Sequence, residues 1–98
     1  MYYVYVLQSE KDGRFYLGYS SDLKARLRSH NAGYNKSTKY SKWRLVYYEA
    51  YQSESYARGR EASLKHNERM RSFVYKRIKA SLNEEQFSGG RSCKLKPR

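Results

Sequence analysis

Tyr2-Tyr3-Val4-Tyr5-Val6-Leu7, the pair Asp12-Gly13 and Phe15-Tyr16-Leu17-Gly18-Tyr19 decide the fold of this chain. The first run is dense in aromatic and β-branched residues and reads as a buried strand. Asp and Gly both tolerate positive φ, so the chain turns back at the pair. The second run then reads as the return strand of an antiparallel hairpin, ending at Gly18. Beyond it the period changes: Leu23, Leu27 and His30 fall on one face of a helix. Ser21 is the expected N-cap, Asp22 complements the positive end of the helix, and Gly33 stops it. Residues 34–43 are polar and basic and read as an exposed loop. Arg44–Tyr51 is the third strand. Ser53 or Ser55 caps a second helix on which Ala57, Glu61 and Leu64 share a face. The pattern breaks at His66-Asn67-Glu68-Arg69, and Met70, Phe73, Val74, Arg77 and Ile78 mark a last helix. The predicted class is α/β (α+β): a small three-stranded antiparallel sheet flanked by three helices, in the order β-β-α-β-α-α. After Ala80 the apolar period ends, and Ser88, Gly89-Gly90 and Pro97 mark loose chain. The organisation read from this is a domain over 1–80 and a flexible basic tail over 81–98.

The 98 residues fit one domain with one small core. The single cysteine, Cys93, excludes an intramolecular disulfide framework and has no zinc-ligand spacing around it. The run Tyr2–Leu7 is far too short to span a bilayer. With no signal peptide ahead of it, the chain is expected to be cytoplasmic, and no membrane partner is expected. The net charge is +12. Residues 1–80 hold 17 basic and 7 acidic side chains, so +10 sits on the folded part and a basic tail is not the whole explanation. Such a field favours polyanions, nucleic acid first among them. Twelve tyrosines add rings that pack and still present hydroxyls. Lys36, Lys39 and Lys42, interleaved with Tyr34, Tyr40 and Trp43, suit phosphate contact with base stacking.

Several spacings come into register. Tyr3-Val4-Tyr5 ends the first triplet, Tyr16-Leu17-Gly18 follows with Tyr16 eleven residues after Tyr5, Arg26 lies ten beyond Tyr16, and His30 four beyond that. Glu61 stands alone in the second helix. This pattern resembles the GIY-YIG nuclease superfamily, in particular its small stand-alone bacterial members, over roughly residues 1–80. It is similar also to the N-terminal incision domain of the excision-repair nuclease. Two residues depart from the pattern: Tyr3 stands where the name-giving triplet has Gly, and Tyr19 follows Gly18 where the repair nuclease commonly has Lys.

The resemblance implies a metal-dependent DNA endonuclease with Tyr5, Tyr16, Arg26, His30 and Glu61 as the catalytic set. Glu61 is then the ligand of one divalent ion, Mg²⁺ or Mn²⁺, since an inward carboxylate needs a partner. The alternative for Glu61 is a salt bridge. Arg26 and His30 share a helical face, and a guanidinium there can grip a phosphate with forked hydrogen bonds. His30 either serves the site, contacting phosphate or orienting a Tyr hydroxyl, or satisfies helix-end carbonyls. One of Tyr5 and Tyr16 takes the proton of the attacking water, provided neighbouring cations lower its pKa. Gly18 is expected to let the nucleic-acid backbone approach, alongside Lys36, Lys39 and Lys42. Gly59, inside a helix, is expected to allow close helix–sheet packing. The expected partner is DNA, branched or damaged, in repair or processing, with RNA left open and a monomer favoured. The alternative function is a nucleic-acid-binding module on the same scaffold that cleaves weakly or not at all.

Overall fold

The structure is a computed structural model and describes residues 1–33 and 42–88. The elements are β1 (Tyr2–Ser9), β2 (Phe15–Ser20), α1 (Leu23–Asn31), β3 (Trp43–Tyr51), α2 (Glu54–His66) and α3 (Glu68–Ser88), the order and class that the sequence predicts. Lys36, Lys39, Tyr34, Tyr40 and the segment 89–98 with Cys93 lie outside the described residues.

The most apolar strand takes the centre. The sheet order is β2-β1-β3 and both pairings are antiparallel. Val4, Tyr5, Val6 and Leu7 are all buried, because β1 is paired on both edges and covered on both faces. Alternation sends Tyr5 and Leu7 to one face and Val4 and Val6 to the other. On the first face Tyr5, Leu7 and Trp43 form a buried cluster, with Tyr16 and the α1 residues Leu23 and Leu27 against it. On the second, α2 is tied down by Arg60, whose guanidinium bonds both oxygens of Glu49 at 2.8 and 2.9 Å. Between Val6 and Leu7 the β1–β3 register slips, leaving Val46 as an extra residue. Such a bulge re-aims the strand; here it returns Leu45 and Trp43 to the face that carries Leu7.

The turns follow the sequence with corrections. Gly13 takes the positive φ of the hairpin turn, and Gly33 takes the one after α1. The N-cap of α1 is Asp22 rather than Ser21: its carboxylate accepts from the Ala25 amide at 3.1 Å, and the Ser20 hydroxyl holds the Asp22 backbone. A charged acceptor on the second residue outcompetes an exposed hydroxyl one position earlier. Ser53 caps α2 by accepting from the Tyr56 amide. Gly18 does not end its strand; β2 runs on to Ser20.

The chain forms two compact units, Met1–His66 and a second beginning at Asn67. In the second, Asn67 caps α3 through the Met70 amide, and Val74 and Ile78 are the buried residues of the apolar stripe. The helix continues to Ser88, past the point where that stripe ends. Among the described residues no helix is long and apolar enough to cross a membrane.

Candidate active site

Tyr5 is the hub of the candidate site. It stands mid-strand on β1, 2% exposed, with its hydroxyl 3.0 Å from Nε2 of His30. His30 is itself 1% exposed, brought there by the last turn of α1. The imidazole packs edge-on against Tyr16, ring centroids 4.7 Å apart, and Tyr16 in turn meets Trp43 at 6.3 Å. His30 thus bonds a tyrosine hydroxyl, one of the roles the sequence offers for it. Burial first, then the Arg26 guanidinium, pushes the His30 pKa down, so the ring is neutral at pH 7.

Gly18 lies directly opposite Tyr5 in the β1–β2 register. A Cβ on Gly18 would stand 2.5 Å from Cζ and from the hydroxyl oxygen of Tyr5. The space its missing side chain leaves is therefore occupied by the Tyr5 ring, which corrects the expectation that it admits a nucleic-acid backbone. Gly59 is corrected in the opposite sense: among the described residues a Cβ there would meet nothing within 4 Å, so close helix–sheet packing is not its reason.

Two charged members, Arg26 and Glu61, act on Tyr5 through space. Its phenol is pushed well above the ordinary range, by burial first and then by neighbouring Tyr16; Arg26 pulls it down and Glu61 raises it further. Tyr16, Arg26 and Glu61 thus all act on one hydroxyl, which a fourth candidate, His30, bonds directly. Burial outweighs the Arg26 guanidinium here, so that cation by itself does not activate the Tyr5 phenol. Arg26 is exposed on α1, one turn before His30. Glu61, on α2, keeps 22% of its side chain exposed and pairs with Lys65 at 3.1 Å, so the salt-bridge alternative is realised. Lys42 is exposed at the foot of β3.

Some supports are not legible in the sequence. Asn31 at the end of α1 accepts from the Trp43 amide at 2.7 Å and donates to the Trp43 carbonyl at 3.0 Å. That pair of hydrogen bonds completes the start of β3 and seats Trp43 beside Tyr16. On the other face Glu49 collects Tyr47, Tyr51 and Arg60. Burial alone raises its carboxyl, but these bonds overcome that and hold its pKa at about 2. A lone Glu in a strand that beyond Arg44 is otherwise apolar and aromatic was the available signal. Tyr19, the residue in place of Lys, bonds Glu54 at 3.0 Å and carries the Arg58 guanidinium over its ring at 4.6 Å.

The arrangement agrees with comparison to known proteins. The family model described as the GIY-YIG catalytic domain matches residues 1–80. This chain belongs to the GIY-YIG family. It is 40% identical over 87 residues to a UPF0213 protein of Streptococcus agalactiae serotype V, covering 85% of this chain and 93% of that one. A UPF0213 protein of Streptococcus pyogenes serotype M5 is 45% identical over 67 residues, 64% of this chain and 70% of the relative. Among solved structures, the solution NMR structure of a UPF0213 protein from Bacillus halodurans is 33% identical, with a TM-score of 0.46, covering 76% of this chain and 84% of that one. The GIY-YIG family is a nuclease family that generally works with a divalent metal on nucleic acid.

Among the described residues no group of three or more His, Cys, Asp or Glu gathers as a metal cage. Magnesium does not require one, because it binds through one or two carboxylates and takes its other oxygens from water and phosphate. Glu61, a partly exposed carboxylate paired with a flexible lysine, fits that donor set.

Proposed function

We propose that this GIY-YIG chain is a DNA endonuclease that hydrolyses phosphodiester bonds with the help of one Mg²⁺ or Mn²⁺ ion, in DNA repair or processing. The observation that carries the reading is the convergence on the Tyr5 hydroxyl: His30 bonds it, and Tyr16, Arg26 and Glu61 all act on it. Tyr5 keeps its proton at neutral pH and, with His30, fixes the wall of the site. Tyr16, half-buried on the same face, is the phenol assigned to the attacking water. Arg26, the exposed cation of the set, grips the scissile phosphate. Glu61 holds the ion, which when bound neutralises the charge developing on the phosphoryl oxygens. Lys42 and the remaining basic side chains bind phosphates along the strand, with Lys36 and Lys39 assigned there from sequence alone.

The test is nicking of labelled branched, nicked and linear DNA with and without Mg²⁺ or Mn²⁺. Glu61→Gln should lose cleavage and metal affinity together while binding DNA as well as before without metal. Arg26→Ala should lose cleavage and keep metal affinity. Wild-type nicking by folded Glu61→Gln refutes the metal assignment. One observation favours the non-cleaving alternative: Glu61 already has a partner in Lys65. A wild type that binds DNA yet nicks none of the panel decides for that binding module.

A further inference from the structure

Among the described residues of the first unit, one end of a sheet face is left open beside the buried β1 core. Tyr5 and Tyr48 are direct partners in the β1–β3 register, and Tyr3 faces Ala50 next to them. Alternation puts Tyr3, Tyr5 and Tyr48 on one face. The bulge beyond Val6 divides this face into two ends. At the far end Leu7 and Trp43 are buried in the cluster that α1 covers. At the near end Tyr48 is 54% exposed and Ala50 is exposed. Tyr3 meets Tyr48 edge-to-face with centroids 5.9 Å apart, so the two rings brace each other.

We propose that Tyr48, braced by Tyr3, is a stacking platform for an unpaired base beside the scissile phosphate. The class of substrate would then be DNA with single-stranded character at the cut. This rests on the reading of the site around Tyr5 as a phosphodiesterase site. The chemistry of the patch identifies the occupant. An exposed aromatic ring on a rigid strand offers a π-face, and every base has one to match it. None of the side chains that alternation puts on this face of the three strands is acidic, whereas the opposite face carries Glu49. A phosphate chain passing here meets no acidic side chain of the strands themselves, Glu61 of α2 being the carboxylate that acts on Tyr5, in a chain of net charge +12. The cation acting on Tyr5, directly opposite Tyr48, is Arg26. A base inside a duplex keeps both faces stacked on its neighbours and has none to offer, so the platform selects a base that is already free. A second copy of this chain is a poor occupant, because two rings and an alanine fall far short of the roughly 1,000 Å² that a specific interface needs.

The experiment is equilibrium binding of the full chain, with EDTA present, to a flap DNA carrying 2-aminopurine in its unpaired arm and to a matched duplex. Stacking quenches the 2-aminopurine in the flap. Tyr48→Val keeps strand propensity and should weaken flap binding by about five-fold or more while losing the quench, with duplex affinity little changed. Tyr48→Phe keeps the ring and should restore both. Tyr56→Val removes a ring that is 63% exposed on α2 and serves as the positional control, expected to bind and quench as the wild type does. Flap binding and quenching by folded Tyr48→Val at the wild-type level overturn the platform. So does an equal loss in Tyr56→Val, or a wild type that never quenches. Because binding is read without metal, absence of nicking on any DNA refutes the phosphodiesterase reading alone, and nicking without the quench refutes the platform alone.

Discussion

Replacing glycine by alanine at positions 18 and 59 is expected to move stability in opposite directions. At Gly18 the added Cβ lands 2.5 Å from two atoms of the Tyr5 phenol. Carbon atoms in contact sit about 3.5–4.0 Å apart, so the overlap is about 1 Å. The ring has no free direction to take. It is 2% exposed, is bonded to His30, and belongs to the cluster with Leu7 and Trp43. Overpacking of this kind costs about 1–3 kcal/mol, and a displaced phenol leaves His30 short of a buried partner for about 1–3 kcal/mol more. Stiffening the unfolded chain returns about 0.4–1 kcal/mol. The expected net loss is about 1–5 kcal/mol, which for a chain of this size lowers the midpoint of a thermal melt by about 4 °C or more. At Gly59 the Cβ enters open space in the interior of α2. Alanine is worth about 1 kcal/mol over glycine there, a rise of about 4–8 °C. Melts followed by circular dichroism compare the three proteins. A Gly18→Ala protein that melts with the wild type refutes the placement of the Tyr5 ring over Gly18. A Gly59→Ala protein that melts lower refutes the open surface at Gly59.

Three further outcomes are expected. Tyr5→Phe keeps the ring over Gly18 but removes the hydroxyl from His30, and should lose about 1–3 kcal/mol in a denaturant titration; an unchanged midpoint would refute the buried bond. Stability should fall with acid in two windows, because both groups have folded pKa values below their unfolded ones and so favour the native state at higher pH. The His30 contribution fades below about 6.5. The Glu49 contribution, about 3 kcal/mol, is complete above its ordinary 4.5 and lost toward 2; Arg60→Met should shrink that second window, leaving the part that the Tyr47 and Tyr51 hydroxyls hold. Binding to duplex DNA should weaken with salt, log K against log salt having a slope of roughly −3.5 to −5.5 if four to six phosphates are neutralised, and an affinity indifferent to salt would refute the electrostatic footprint.

The sequence by itself determined the strands, the helices and their order, because each element carries its own period: aromatic and β-branched residues in β1 and β2, Leu23, Leu27 and His30 on α1, Ala57 and Leu64 on α2. Through its resemblance to the GIY-YIG pattern it also supplied the candidates Tyr5, Tyr16, Arg26, His30 and Glu61. What each residue does with its neighbours was decided only by the tertiary structure. Gly18 and Gly59 look alike in sequence, yet one is closed by a ring from the adjacent strand and the other opens to solvent. Tyr5 and Tyr16 are equivalent candidates until burial on the central strand keeps the proton on Tyr5. The end of α3 follows the same logic from the other side, for a helix can propagate through its own backbone bonds beyond Ile78, where the apolar stripe that announces it has stopped. Periodicity is a local quantity and is written along the chain. Burial and through-space charge depend on residues brought together from distant elements, such as β1 and the end of α1, and only the folded arrangement supplies them.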